Sequence, residues 1–329
     1  MRVHALSVKM VVGITSFLLL WATAGAAGFP ERPIQILVGW PVGSPTEVAV
    51  RAVAKPLSKI LEQPAIVQNL PGGAGALVLG RVKIERPDGY TVFAGGSVTF
   101  AETPWSRTVP FDTLNDFAYL AQHLRFEHYV LCRSDSPWKN FDELIQHAKK
   151  NPKVIKYSSQ GVGSPTHIMM EYLARKESLQ WTHVPFHSAT ESIPALLGGH
   201  IDFAATVLGP EVEYTKTGRL RPLIGLGGKR IRLFPDLPTI VEMGYDVGDF
   251  TCVSGGIWAV PAATPKDIQK ILEKALLQAM ADPEARDCFK KLNREYAPLN
   301  SEETTKMVIE HYKKFGELMK QLGLGRYKK

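Results

Sequence analysis

The feature that most constrains this chain is an alternation. Short apolar runs of strand length are followed, again and again, by stretches whose apolar residues recur at helical spacing. Ile34 to Val38, Ala65 to Leu70 and Tyr90 to Ala94 read as strands, with helices from Val48 to Leu61 and through Leu79 and Val82 between them. Phe117 to Leu120 and Tyr129 to Cys132 are further strand candidates. Asn140 and Glu143 form a capping-box pattern ahead of a helix carrying Phe141, Leu144, Ile145 and Ala148, which Asn151-Pro152 stops. The unit then recurs. Strands are expected at Val154 to Ser158, Trp181 to Phe186, Ile201 to Val207 and Leu220 to Leu226, with helices after the first two. Such alternation predicts α/β layers around parallel sheets. After a Gly-rich strand-like piece at Phe250 to Pro261, three helices beginning at Thr264-Pro265, Asp282-Pro283 and Ser301 are expected to pack back on the first sheet.

At 329 residues the chain is long enough for two domains, each with its own core. The formal net charge is +7, and Arg2 and Lys9 account for two of those charges. The surplus is scattered, with no basic tract and no aromatic-basic repeat, which argues against nucleic-acid binding. Arg2 and Lys9 precede an apolar stretch, Met10 to Ala22, and small residues follow at Ala22-Thr23-Ala24 and Ala24-Gly25-Ala26. This is the pattern of a secretory signal peptide, residues 1–26, cut between Ala24 and Ala27. The mature chain is then expected outside the cytoplasm. No cysteine follows the apolar stretch, so a lipid anchor is not expected. Cys132, Cys252 and Cys288 allow one disulfide at most; a Cys132–Cys252 bridge is possible, and three free buried thiols are the simpler state.

Catalytic signatures are missing. Gly95-Gly96-Ser97-Val98-Thr99 ends in Thr where a nucleophile elbow needs Gly, and no Walker A occurs. Gly73-Ala74-Gly75-Ala76-Leu77-Val78 begins like a dinucleotide fingerprint, but Val78 replaces the third Gly, and a tight strand-to-helix turn accounts for it. His183 and His187, four apart on a strand, lie ~13 Å apart along the chain and have no third ligand, so neither a metal site nor a cofactor is expected. What does recur is a helix start at a strand end, rich in small hydroxyl residues: Gly43 to Glu47, Gly163 to His167 and Ser188 to Glu191. Backbone N–H groups at such a start, together with the positive end of the helix dipole, attract anions. None of the three carries Arg or Lys, which suits a carboxylate held by neutral donors and easily released. Ordinary helix caps give the same pattern without any ligand.

At these residues the sequence resembles the TctC/Bug family of periplasmic solute-binding proteins, receptors of tripartite tricarboxylate transporters. Phe29-Pro30-Glu31-Arg32-Pro33-Ile34, Trp40 to Glu47, Asn69 to Gly75, Pro87-Asp88-Gly89-Tyr90-Thr91, Tyr157 to His167, His183-Val184-Pro185-Phe186, Leu196-Leu197-Gly198-Gly199 with Asp202, and Pro235 to Thr239 follow the family's order and spacing over essentially the whole mature chain. The resemblance implies a two-lobed flytrap fold with two interlobe crossings, near Glu127 and Cys252. Residues 27–127 plus 253–329 would form the first lobe and 128–252 the second. It maps binding loops to Pro41, Gly43, Ser44, Thr46 and Glu47, with Gly96 and Ser97 as weaker candidates, on the first lobe. On the second it maps them to Gly163, Ser164, Thr166, His167, Ser188, Ala189 and Thr190, with Thr206 where many members have an acidic residue. It implies a monomeric receptor that passes a small organic carboxylate to large and small permease subunits. A receptor for a membrane sensor kinase, or an α/β enzyme, are the alternatives. Glu47 in place of the usual Asp, Ser44-Pro45 in place of Gly-Ser, and Phe186-His187-Ser188 in place of the common Tyr-Lys-Gly are departures that bear on ligand choice.

Overall fold

A computed structural model describes residues 28–186, 189–245 and 254–327. The expected signal peptide, His187, Ser188, Cys252 and the second expected crossing lie outside them. In chain order the elements are β1 (Ile34–Val38), α1 (Pro45–Ile60), β2 (Ala65–Asn69), a 3₁₀ turn, α2 (Ala76–Lys83), β3 (Thr91–Gly96), and two single turns, α3 (Val98–Ala101) and α4 (Thr103–Ser106). Next come β4 (Phe117–Phe126), β5 (His128–Arg133), α5 (Phe141–Lys150), β6 (Lys156–Ser159), α6 (Pro165–Lys176), β7 (Thr182–Pro185), α7 (Ala189–Leu197), β8 (Phe203–Val207), α8 (Val212–Lys216) and β9 (Leu220–Gly225). The chain closes with β10 (Ser254–Pro261), α9 (Lys266–Met280), α10 (Pro283–Lys291), β11 (Glu295–Leu299) and α11 (Ser301–Leu322).

The strands build two sheets, of order β11-β4-β10-β3-β1-β2 and β7-β6-β8-β5-β9. Each is mixed, where the alternation alone predicted parallel sheets. The βα units pair in parallel, β1 with β2 and β3, and β6 with β7 and β8. The strands next to the crossings run the other way: β10 is antiparallel to β3 and β4, and β5 to β8 and β9. The reason is connectivity. Glu127 alone separates β4, in the first sheet, from β5, in the second. A strand that returns through a crossing, with no helix to carry it back, enters its sheet reversed.

Both faces of each sheet are covered, so neighbouring residues on a strand bury into different cores. Ile36 and Val38 pack with Val50 and Val53 of α1 and Leu272 and Leu276 of α9. Leu37 between them packs with Val78 and Leu79 of α2 and Val308 of α11. Each such side chain taken from water stabilises by roughly 1.5–3 kcal/mol. In the second lobe, α5 and α6 cover one face around Tyr157 and Phe203, and Ile193 and Leu196 of α7 cover the other with Tyr129 and Leu131.

The last helix is shared. Asn300 and Glu303 close a capping box at its start, beside the first sheet. Its far end puts Phe315, Leu318, Met319 and Leu322 into the second lobe's core, and the Arg175 guanidinium of α6 donates to the Leu322 carbonyl. Trp105 of α4 lies against Gly316, where an added Cβ would stand 2.3 Å from the indole. The tail expected to pack on the first lobe alone therefore ties the two together. Cys132 is a buried free thiol, and Cys288 is only half-buried.

Candidate functional site

The two lobes carry the same pentapeptide, Val42-Gly43-Ser44-Pro45-Thr46 and Val162-Gly163-Ser164-Pro165-Thr166, each at a strand-to-helix turn. Gly43 and Gly163 both have φ of +81°, a left-handed conformation in which glycine is free of the Cβ clash. Ser44 and Ser164 then cap α1 and α6, their hydroxyls accepting from the N–H of Glu47 and His167. Pro45 and Pro165 occupy the first helical turn, where an N–H would lack an intrahelical partner anyway. The residue after the pentapeptide closes each loop. Glu47 Oε2 accepts from the Gly43 N–H at 3.0 Å, and His167 Nδ1 accepts from the Gly163 N–H at 3.2 Å. One local solution is thus built twice, with a carboxylate in one lobe and an imidazole in the other.

Between the lobes lies a cleft of about 760 Å³. Trp40, Thr46, Gly96 and Ser106 line it from the first lobe, and Gly161, Gly163, Ser164 and Phe186 from the second. Trp40 can lie there because Gly95 and Gly96 have no side chains; a Cβ on Gly95 would stand 2.3 Å from the indole. At one edge the lobes touch, a Cβ on Gly163 falling 2.9 Å from that of Ser106. A second cavity, of about 520 Å³, opens between the Glu127 crossing and α11. Its Lys306, Glu310 and Lys314 alternate along one helix face, and Arg125, Glu127 and Lys229 line it from elsewhere, so its lining mixes charges of both signs.

Of the residues singled out from sequence, Thr46, Gly96, Gly163 and Ser164 stand on the cleft wall. Pro41 and Gly43 are exposed on the loop, and Ser44 is half-buried as a cap. Glu47 is 1% exposed and held by the Gly43 N–H and the Arg51 guanidinium, so its carboxylate shapes the loop from behind. Ser97 is buried, its hydroxyl accepting from the Gly255 N–H at 2.9 Å, which pins β3 to β10. Thr166 is buried beneath its loop, its hydroxyl 3.3 Å from that of Ser164. Thr206 is buried on β8; Val207, its neighbour on the opposite face, reaches the cleft instead. Ala189 and Thr190 open α7 away from the wall, and Ser188 lies outside the described residues.

The histidines behind the second wall are neutral. His167 and His183 stack with ring centroids 4.3 Å apart, and His183 Nε2 is 2.7 Å from the Ser159 hydroxyl. Burial lowers both pKa values to about 4. His183 thus meets His167, a contact the sequence did not suggest. Among the described residues no group of three or more His, Cys, Asp or Glu is placed to hold a metal. No helix among them is long and apolar enough to cross a membrane.

Sequence reasoning missed the cleft's floor. Phe126, His128, Val207, Ser254 and Arg294 meet there, at the strand ends next to the crossings. Arg294 comes from the turn between α10 and β11, a stretch without any apolar pattern. Its only sequence signal is a basic residue just before a short strand. Arg107, the other arginine on the wall, is exposed.

Two α/β lobes joined at strand crossings, with a helix start from each lining the cleft between them, define a solute-binding protein of the two-lobed periplasmic class. The chain belongs to the tripartite tricarboxylate transporter receptor family, TctC, which residues 49–324 match. It is 34% identical over 305 residues to a UPF0065 protein in the gbd 5' region of Cupriavidus necator, covering 93% of this chain and 92% of that one. A TctC solute-binding protein from Polaromonas, solved without ligand, superposes with a TM-score of 0.77 at 27% identity, over 89% of this chain and 99% of that one. An R. palustris protein solved with adipate has the same fold, with a TM-score of 0.77 at 22% identity over 90% of this chain and 99% of that one. Family members are solute receptors and not enzymes.

Proposed function

We propose that this chain is an exported receptor that closes on a small organic carboxylate and delivers it to the large and small permease subunits of a tripartite transporter. One observation carries the reading: the two Gly-Ser-Pro-Thr helix starts facing one cleft from opposite lobes. Among the described residues the Thr46 N–H has no acceptor, so it and the Thr46 hydroxyl are available to a carboxylate, while the Ser164 hydroxyl on the facing wall is engaged by the His167 N–H and its hydroxyl neighbours. A carboxylate bridging both starts binds the closed state better than the open one, and that difference drives closure. Neutral donors hold an anion without the desolvation cost of a buried ion pair, and so release it readily. Residues 27–127 with most of 253–329 then move as one lobe and 128–252 as the other, with α11 spanning both. Adipate in the R. palustris relative supports the ligand class.

Thermal-shift screening of the mature protein against mono-, di- and tricarboxylates tests this. A ligand at ~100 times its Kd should add ~2.7 kcal/mol of stability. A nucleotide that shifts the melting point where no carboxylate does would overturn it.

A further inference from the structure

The helix starts on the cleft walls offer neutral donors; the charged groups along the cleft are the exposed Arg107, the buried Glu102, whose carboxylate lies 3.0 Å from His311 Nε2, and Arg294 on the floor. Arg294 extends from the first lobe to the floor, and one of its donors is fixed from the second: Nη1 donates to the Leu208 carbonyl oxygen. Asn293 beside it donates from Nδ2 to the Gly209 carbonyl at 3.2 Å, and the guanidinium carbon lies 5.0 Å from the Phe126 ring centroid. The head group is therefore held in place. Its Nε and Nη2 have no acceptor among the described residues. Glu211, Tyr129 and Glu127 lie within its field, but the Glu211 carboxylate is engaged by the Tyr129 hydroxyl at 2.9 Å. Burial lowers the pKa of Arg294 to about 10, so it remains a cation at neutral pH. Arg107, at an exposed position, is screened by water and discriminates little.

A guanidinium fixed at Nη1, lining the cleft and with Nε and Nη2 unpaired, matches a planar anion bidentately. We propose that Arg294 is a specificity-determining residue that takes a second acidic group of the ligand, so that the solute is a dicarboxylate. This rests on the receptor reading above: one carboxylate docks on the paired helix starts and the other on the floor. Leaving a charged donor pair unmatched in a partly buried site is costly, so a monoacid of the same length is rejected. Because Arg294 already contacts the second lobe, the pairing also favours the closed arrangement.

The test is calorimetric titration with chain-matched pairs, adipate against hexanoate and succinate against butyrate, on wild type, Arg294→Met and Arg294→Lys. In the wild type one diacid should bind at least tenfold more tightly than its monoacid. Arg294→Met should collapse that ratio, and Arg294→Lys should keep part of it as a point charge. A ratio unchanged in Arg294→Met, or an equal loss for both acids, would overturn the assignment, the second outcome marking a purely structural role at the crossing. If Arg294→Met does not fold, the wild-type Arg294 Nε–H resonance should shift with the diacid and not with the monoacid; no such difference rejects the proposal. Diacid and monoacid binding equally to wild type would remove Arg294 as a determinant while leaving the receptor reading intact. Binding of neither by any carboxylate would fell both.

Discussion

At the residue scale, the two glycines of the repeated turn make a matched pair. Both sit at φ of +81°, so either Gly→Ala substitution places a Cβ in the left-handed region, at a cost of roughly 1–2 kcal/mol. They differ in surroundings. A Cβ on Gly43 meets nothing within 4 Å, while one on Gly163 stands 2.9 Å from that of Ser106 on the other lobe. Both variants should therefore melt at similarly reduced temperatures, but Gly163→Ala should weaken carboxylate binding well beyond Gly43→Ala, because only it wedges the lobes apart. Thermal melts with parallel titrations would show this, and equal affinity losses would refute it. Glu47 teaches a related lesson. An acid at a helix start reads from sequence as a ligand-facing group, yet its burial and its bonds to the Gly43 N–H and Arg51 turn it toward the loop.

At the element scale, α1 and α6 begin with the same pentapeptide but are locked by groups of different titration behaviour. His167 can accept the Gly163 N–H only while Nδ1 is unprotonated. Its folded pKa is about 4 against an ordinary 6.5, with burial as the cause, and the adjacent His183 is lowered likewise. The unfolded chain therefore takes up these protons first. Stability held above pH 6.5 is lost progressively as pH falls toward 4. Burial raises the Glu102 and Glu211 carboxyls, which act in the opposite sense, so the total curve is mixed. The difference between wild type and His167→Gln isolates the histidine: melting temperature should fall less steeply from pH 6.5 to 4 in the variant. Parallel curves would exclude His167 as the acid-sensitive lock.

For the whole molecule, α11 ties the two lobes together. Phe315 is fully buried in the second lobe's core although its helix begins beside the first sheet. Phe315→Ala should cost about 3–5 kcal/mol, the range for a large aromatic removed from a packed core. The loss should appear locally as faster amide exchange in α6, against which the end of α11 packs, with the α1 amides little affected. Uniform loss across both lobes would mean that the helix belongs to a single cooperative unit. A helix spanning a hinge can bend or slide over only small distances, which suits closure by small rotations.

How much of this was legible in the chain follows from the range of the forces involved. Strands with two-sided apolar burial and helices opened by Ser-Pro are set by neighbours a few residues apart, so their pattern is written locally, whereas the crossing at Glu127 came only from the family resemblance. β11 was not, because Glu-Tyr-Ala-Pro-Leu has no alternation and becomes a strand only against the edge of β4. The same division runs through the site. Helix starts at Ser44 and Ser164 follow from sequence, since capping is a contact between residues three apart. Which of their groups face the cleft does not: Thr46 and Thr166 hold the same place in the same pentapeptide, yet one lines the wall and the other is buried. The floor belongs wholly to the tertiary structure, because Arg294 meets Phe126 and Leu208 only when three distant segments converge at the crossings. The sequence by itself determined alternating strand-helix units and a repeated Gly-Ser-Pro-Thr turn; packing around the crossing decided which of its groups line the cleft and put a cation beneath them.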